Sequence, residues 1–202
     1  MSPRPYQLGK RQDQIDESRR RVIDAARSLL AEAGSYRAFT VDAVAKKADV
    51  AKATIYYQFE SKTGLLEAVC DALAEAGGMS GLATAFTDPD PIAALHTFVE
   101  TFGRFWDADR SAMRRLRALA ALDPEVGAVI SARDDRRRTG LGVLAGRLAE
   151  DRAATRRIDP EELIRVLYML TSFETFDALA PPDAALTSVV ADVVNLAEAV
   201  LR

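Results

Sequence analysis

The twenty residues from Thr40 to Phe59, TVDAVAKKADVAKATIYYQF, constrain the fold more tightly than any other part of the chain. Thr40 is placed to cap a helix over 41–48, and a second short helix runs from about Lys52 to Phe59. Between them, Asp49-Val50-Ala51 leaves room only for a tight turn. Val44, Ala45, Val50, Ile55 and Phe59 make an inner face, leaving Lys52, Thr54, Tyr56, Tyr57 and Gln58 outside. Two adjacent tyrosines on so short a helix cannot both be buried, and an exposed tyrosyl hydroxyl is a good donor to phosphate. A helix-turn-helix has these parts: one helix braces across the DNA backbone while the second holds its N-terminal side chains against base edges. Taken alone, the same bihelical corner also reads as an ordinary packing unit.

The remaining pattern is helical throughout. Val22, Ala25, Ala26, Leu29, Leu30 and Ala33 recur at helical spacing, predicting a helix over 14–33 ended by Gly34. Ser61 caps a fourth helix with Leu65, Leu66, Val69 and Leu73 on one face. Breakers concentrate from Gly77 to Pro91, which places a domain boundary there. Residues 91–107 carry a stripe of Ile92, Leu95, Val99, Phe102 and Trp106, with Phe98 and Phe105 on other faces, so this helix should be central to a core. Further helices are expected over 110–122, 124–151 and 160–179, the last opened by Asp159-Pro160-Glu161-Glu162, and over 182–201 after Pro181-Pro182. No period-two strand pattern appears. The expectation is an all-α, nine-helix, two-domain chain: a flexible basic arm at 1–17, a helix-turn-helix domain at 18–76 with its fourth helix as connector, and a helical effector-binding and dimerisation domain at 77–202.

Composition narrows the function. The 202 residues are 49% hydrophobic, enough for a real core, yet no run approaches the roughly 18 apolar residues that span a membrane. The start, MSPRPYQLGKRQDQ, has no apolar signal region, so the cytoplasm is the expected location. One cysteine, Cys70, and one histidine, His96, supply neither a disulfide, nor a multi-thiolate metal site, nor the parts of most catalytic triads; no enzyme, cofactor or metal is expected. Net charge is −3, but it is unevenly spread: residues 1–62 carry 12 Lys and Arg against 8 Asp and Glu, and the remainder 15 against 22. A basic head on an acidic body suits a protein that neutralises phosphates with one end. Arg19-Arg20-Arg21 reads equally as a solvated helix face or a DNA contact, and Arg4, Lys10 and Arg11 as a plain tail or a minor-groove arm.

The run FTVDAVAKKADVAKATIYYQFESKTGLLEAV resembles the N-terminal signature of the tetracycline-repressor (TetR) family of bacterial regulators, through Thr40, the Ala48-Asp49-Val50 turn, Thr54, Tyr56, Phe59, Lys62 and Leu65-Leu66. The likeness covers roughly residues 18–70; beyond it only helical layout and length are similar. It implies that Lys52 and the backbone at Ala53 approach bases, that Thr40, Thr54, Tyr56, Tyr57 and Lys62 hold phosphates, and that Gln58 lies beside them. Ala53 stands where many members have glycine; its methyl limits backbone approach while offering an apolar contact to thymine. Glu60, unfavourable near phosphate, is expected to turn away.

The resemblance further implies a C-terminal domain that binds a small apolar or aromatic effector and forms a homodimer through helices 160–179 and 182–201 on a palindromic double-stranded operator. Phe98, Phe102, Phe105, Trp106, Met113, Tyr168, Met169, Phe173 and Phe176 supply a surface for such an effector, and serve equally as core. His96 reads as a satisfied core or interface histidine, and the run from Arg133 to Arg138 as a solvated, self-paired helix surface. The expected function is a repressor released from its operator by the effector. The alternatives are a DNA-binding protein of the same fold that activates transcription or organises chromosomes without a ligand, and, less favoured, an all-α enzyme.

Overall fold

The computed structural model describes residues 5–32, 39–150 and 159–202, with side chains from Gln12 onward. Among the described residues there is no strand, and eleven α-helices follow one another: α1 (Pro5–Ala31), α2 (Val41–Ala48), α3 (Lys52–Phe59), α4 (Lys62–Ala76), α5 (Leu82–Thr87), α6 (Pro91–Asp107), α7 (Arg110–Leu122), α8 (Pro124–Glu150), α9 (Pro160–Leu170), α10 (Phe173–Leu179) and α11 (Val190–Leu201). The all-α expectation holds, and the two helices beyond nine have identifiable origins.

One is α5. Its six residues lie between Gly81 and Pro89, where breakers mask any periodicity. Tertiary contact holds it instead: Ala85 is buried, and Phe86 meets the Phe98 ring edge-on at 6.2 Å between centroids. The other is a break in the expected 160–179 helix. Ser172 leaves the helix at φ −75°, ψ 154°, and its hydroxyl accepts from Thr175 N–H, so the chain restarts as α10. The break frees the Thr171 carbonyl, which accepts from Trp106 Nε1 at 3.0 Å and from Arg137 Nη1 at 2.6 Å. Arg137 is only 4% exposed, and its guanidinium also lies 4.2 Å from the Tyr168 ring centroid. The reading of residues 133–138 as a solvated, self-paired surface holds for Asp135, Arg136 and Arg138, which are exposed, Arg138 pairing with Asp135. It is corrected at Arg137, whose buried charge is compensated by a freed carbonyl and aromatic faces.

The chain ends also differ from expectation. α1 begins at Pro5, so residues 5–17, assigned to a flexible arm, are helical. Proline suits a first helical position, and Gln12 to Asp16 (3.0 Å) and Arg20 to Glu17 (3.0 Å) stitch a polar stretch that lacks the apolar stripe. Gly34 and the side chains of Arg4, Lys10 and Arg11 lie outside the described residues. The final helix starts at Val190, after a 3-10 turn over Leu186–Val189, because Asp107 holds Leu186 N–H at 2.6 Å and fixes the approach.

The chain divides into two compact units, one formed by residues up to Ala72 with Arg114–Val129, the other by Leu73–Met113 with Ile130–Arg202. In the first, Val22, Ala26, Leu30, Val44, Ile55, Leu65, Leu66 and Val69 are buried. In the second, α6 is central, touching α5, α10, α11 and the 3-10 turns over Met79–Gly81 and Leu186–Val189, as its all-round apolarity predicts. Arg110, 13% exposed in its side chain, fastens the α10–α11 connection by pairing with Asp177 (2.6 Å) and donating to the carbonyls of Ala180, Pro181, Pro182 and Ala184. At Gly103 of α6 a β-carbon would lie 2.5 Å from Val190 of α11 and 3.1 Å from Phe176. Gly103→Ala should therefore destabilise this unit by about 1–3 kcal/mol, read in urea unfolding through the fluorescence of Trp106, the single tryptophan.

Candidate nucleic-acid interface

The helix-turn-helix is built by two unusual backbone conformations. Thr40 caps α2, its hydroxyl accepting from Ala43 N–H at 3.1 Å. At the other end Asp49 adopts φ 53°, ψ 53°, while Val50 N–H bonds Ala45 O and Asp49 N–H bonds Lys46 O, a Schellman closure that turns the chain at once into α3. Asp tolerates this region better than most residues. α3 ends at Glu60, φ 65° and ψ −42°, with Ser61 N–H on Phe59 O at 2.7 Å, a strained three-residue turn. Ser61 then caps α4 by accepting from Gly64 N–H, and any β-carbon at Gly64 would overlap the Phe59 carbonyl. The α3–α4 corner thus needs glycine at 64 and endures a non-glycine at 60.

This frame fixes what α3 exposes. Ile55 and Phe59, four residues apart, are buried. Ala53 and Tyr57 form the opposite face with Tyr56 at its edge, and Lys52 is exposed in the first turn; Tyr57 is exposed by 81% and Tyr56 by 44%. Thr54 is half-buried at its edge, and Thr40 is exposed with its hydroxyl engaged as a cap. Gln58, expected outside, instead faces α1: Nε2 donates to Ser18 Oγ at 3.3 Å, and its main-chain carbonyl accepts from Arg19 Nη1 at 2.8 Å. Helical phase leaves this open, since Tyr56 and Gln58 lie equally far round the helix from the Ile55–Phe59 direction; α1 decides it by supplying Ser18 and Arg19 on the Gln58 side. Arg19, left open by the sequence, is a brace, its guanidinium 4.3 Å from the Phe59 ring centroid.

Both lysines expected at DNA have a carboxylate partner. Lys52 pairs with Asp42 at 2.9 Å, both side chains being largely exposed. The Asp42 bond and charge raise the Lys52 pKa above its ordinary value, keeping it cationic. Lys62 pairs with Asp123 at 2.6 Å, with side-chain exposures of 32% and 30%. The hydrogen bond from Lys62 is the largest influence holding the Asp123 carboxyl below its ordinary value, opposed by burial and helped by the N–H groups of Glu125 and Val126. Asp42 and Asp123 carry no motif of their own, and Asp123 is 61 positions from its partner, so sequence reading passed over both.

In the second unit, Phe98, Phe102, Phe105, Trp106 and Phe173 form a chain of ring contacts at 4.5–6.2 Å. Phe176 and Met113 are buried, Tyr168 is half-buried against Arg137 and Arg138, and Met169 is 56% exposed. A separate open pocket of about 510 Å³, lined by Asp135, Arg138, Thr139, Glu161, Ile164 and Arg165, shares none of these expected effector residues. His96 bonds Glu198 at 2.8 Å, as a satisfied histidine should.

The family model described as bacterial regulatory proteins, tetR family, matches residues 22–69, the segment that carries this corner. Those 48 residues are similar to the N-terminal segment of tetR-family regulators. An uncharacterized HTH-type transcriptional regulator of Bacillus subtilis (strain 168), YvkB, is 48% identical over 50 residues, which are 25% of this chain and 26% of that protein. Among solved structures, the TetR family transcriptional regulator PfmR from Thermus thermophilus superposes with a TM-score of 0.66 at 21% identity, covering 90% of this chain and 98% of its own. The regulator FadR from Bacillus subtilis, solved in complex with stearoyl-CoA, gives 0.65 at 18% identity, covering 90% and 98%. At such identities these two show a shared all-α fold over about 90% of the chain, and the fold alone.

Two outcomes test the corner. Glu60→Gly should stabilise the first unit by about 1 kcal/mol by relieving a positive φ, whereas Gly64→Ala should lower its melting temperature sharply. For Asp123, a depressed folded pKa contributes stability above the unfolded value of 3.8 that is lost as pH falls through the folded value. Asp123→Asn should accordingly be less stable than the native chain at pH 7, and the gap should narrow as pH falls below 3.8 and close once the folded carboxyl is protonated.

Proposed function

We propose that the chain is a homodimeric, sequence-specific DNA-binding transcriptional repressor of the bacterial cytoplasm, released from a palindromic operator by a small effector. The observation that carries the reading is the joint exposure of Lys52, Ala53, Tyr56 and Tyr57 on a helix locked in place by the buried Ile55 and Phe59. Lys52 and Ala53, at the N-terminal end of α3, meet base edges; Tyr56, Tyr57, Thr40, Thr54 and Lys62 hold phosphates. Residues 18–76 are the DNA-binding domain, and 77–202 serve effector binding and dimerisation. Arg114–Val129 pack within the same compact unit as the helix-turn-helix and supply Asp123 to it.

The aromatic chain from Phe98 to Phe173 supports an apolar or aromatic effector, and FadR, which binds stearoyl-CoA, has this fold. Arg137 and Trp106 add polar groups at its edge through the Thr171 carbonyl. Dimerisation through α9–α11 is supported by Met169, Leu179 and Leu196, exposed by 56%, 43% and 45%. Met169 fits that contact better than the effector site. Among the described residues no cluster of His, Cys, Asp or Glu could hold a metal ion, and no helix is long and apolar enough to cross a membrane. No enzymatic activity is proposed.

A duplex recovered from a random-sequence pool tests the reading. Lys62→Ala and Tyr57→Phe should weaken binding to preferred and unrelated duplexes alike, with Lys62→Ala lowering the salt slope by about one. Lys52→Ala should cost about 1–3 kcal/mol on the preferred duplex alone. Failure to recover any duplex, or a Lys62→Ala protein with unchanged affinity and slope, overturns it. A monomeric mass at micromolar concentration in sedimentation overturns the dimer.

A further inference from the structure

We propose that Asp123 is an internal rival of the DNA phosphate for Lys62, setting the affinity of the DNA-binding unit from a position outside its helix-turn-helix. The inference rests on the reading of Lys62 as a phosphate contact. Lys62 opens α4, where main-chain N–H groups and the helix dipole already favour an anion. In the DNA-free chain the Lys62 ammonium is held by Asp123 Oδ2 at 2.6 Å. An ammonium is a compact point charge that cannot serve a carboxylate and a phosphate as fully as it serves one of them. Docking on DNA therefore includes an exchange: the Lys62–Asp123 bond opens and a Lys62–phosphate bond forms.

The other oxygen makes Asp123 suited to this exchange. Oδ1 accepts from Glu125 N–H at 3.0 Å and from Val126 N–H at 3.5 Å, capping α8. When Lys62 leaves, the carboxylate keeps those donors and the positive end of α8, so it remains ionised and in place. A free carboxylate with no other partners would be a poorer rival, since its side chain would have to be ordered anew each time Lys62 returned. The pairing of Lys52 with Asp42 has the same form but lies in more water, with side-chain exposures of 49% and 69% against 32% and 30% for Lys62 and Asp123. Solvent and salt screen it more, so Asp123 is the stronger competitor. Arg114–Val129 thereby contribute more than packing to the unit: they carry the anion that holds a DNA-facing cation in reserve.

Asp123→Asn is the informative change because asparagine still caps α8 while losing the charge. With the duplex recovered from a random pool by the native protein, Asp123→Asn should bind about two- to fivefold more tightly at moderate salt. Lys62→Ala should bind more weakly, and adding Asp123→Asn to it should change affinity little, because the rival then has nothing to hold. A gain that persists undiminished in the Lys62→Ala background would mark a general charge effect and overturn the proposal. So would an Asp123→Asn protein, folded by its far-ultraviolet spectrum and melting curve, that binds no more tightly than the native chain. If the native protein recovers no duplex at all, the DNA reading itself falls, and the exchange with it.

Discussion

The Phe59 carbonyl, accepting from Ser61 N–H across a positive-φ Glu60 and pressed against the backbone of Gly64, is the constraint on which the exposed face of α3 depends. It ends α3 and starts α4 within two intervening residues. With Phe59 and Ile55 anchored inward, α3 has no rotational freedom, and Lys52, Ala53, Tyr56 and Tyr57 are presented together. A looser corner would let so short a helix roll, and a roll of one residue moves every outward side chain by about 100°. The strain at Glu60 is tolerated because both flanking helices over-determine it.

The second unit solves a different problem, the burial of polar groups in an aromatic core. Splitting the expected 160–179 helix at Ser172 costs intrahelical bonds but releases the Thr171 carbonyl to two strong donors. Trp106 thereby brings its N–H into the core with a partner, and Arg137 brings a charge. Arg110 plays the corresponding part at the surface, collecting the carbonyls of the 180–184 connection that no helix can satisfy. Each arginine answers main-chain acceptors left over where a helix stops.

Electrostatics link the site to the rest of its unit. The surface proposed for DNA carries cations, and cations close together repel unless something neutralises them. Asp42 for Lys52, Glu32 for Lys47 and Asp123 for Lys62 do so pairwise, at 2.9, 2.5 and 2.6 Å. The acidic excess outside residues 1–62 is not merely solubilising, since at least one of its members, Asp123, is aimed at the basic head.

Local rules made much of this legible in the amino-acid order. α2, α3, α6 and α7 fall where the periodicity and caps put them, because a capping hydroxyl, a helix-breaking proline or an i, i+4 apolar pair acts within a single turn. The exposure of Tyr57 follows likewise from its phase against Ile55 and Phe59. Where the deciding contact is distant, the sequence is silent. α5 exists because Phe86 meets Phe98; Gln58 turns inward because α1 offers Ser18 and Arg19; Arg137 is buried because a helix broken 34 residues later leaves it a carbonyl. By itself the sequence determined an all-helical chain with a helix-turn-helix corner. Only the tertiary structure decided which charges the corner is free to use, because an ion pair such as Lys62 with Asp123 depends on proximity in space, which no spacing along the chain encodes.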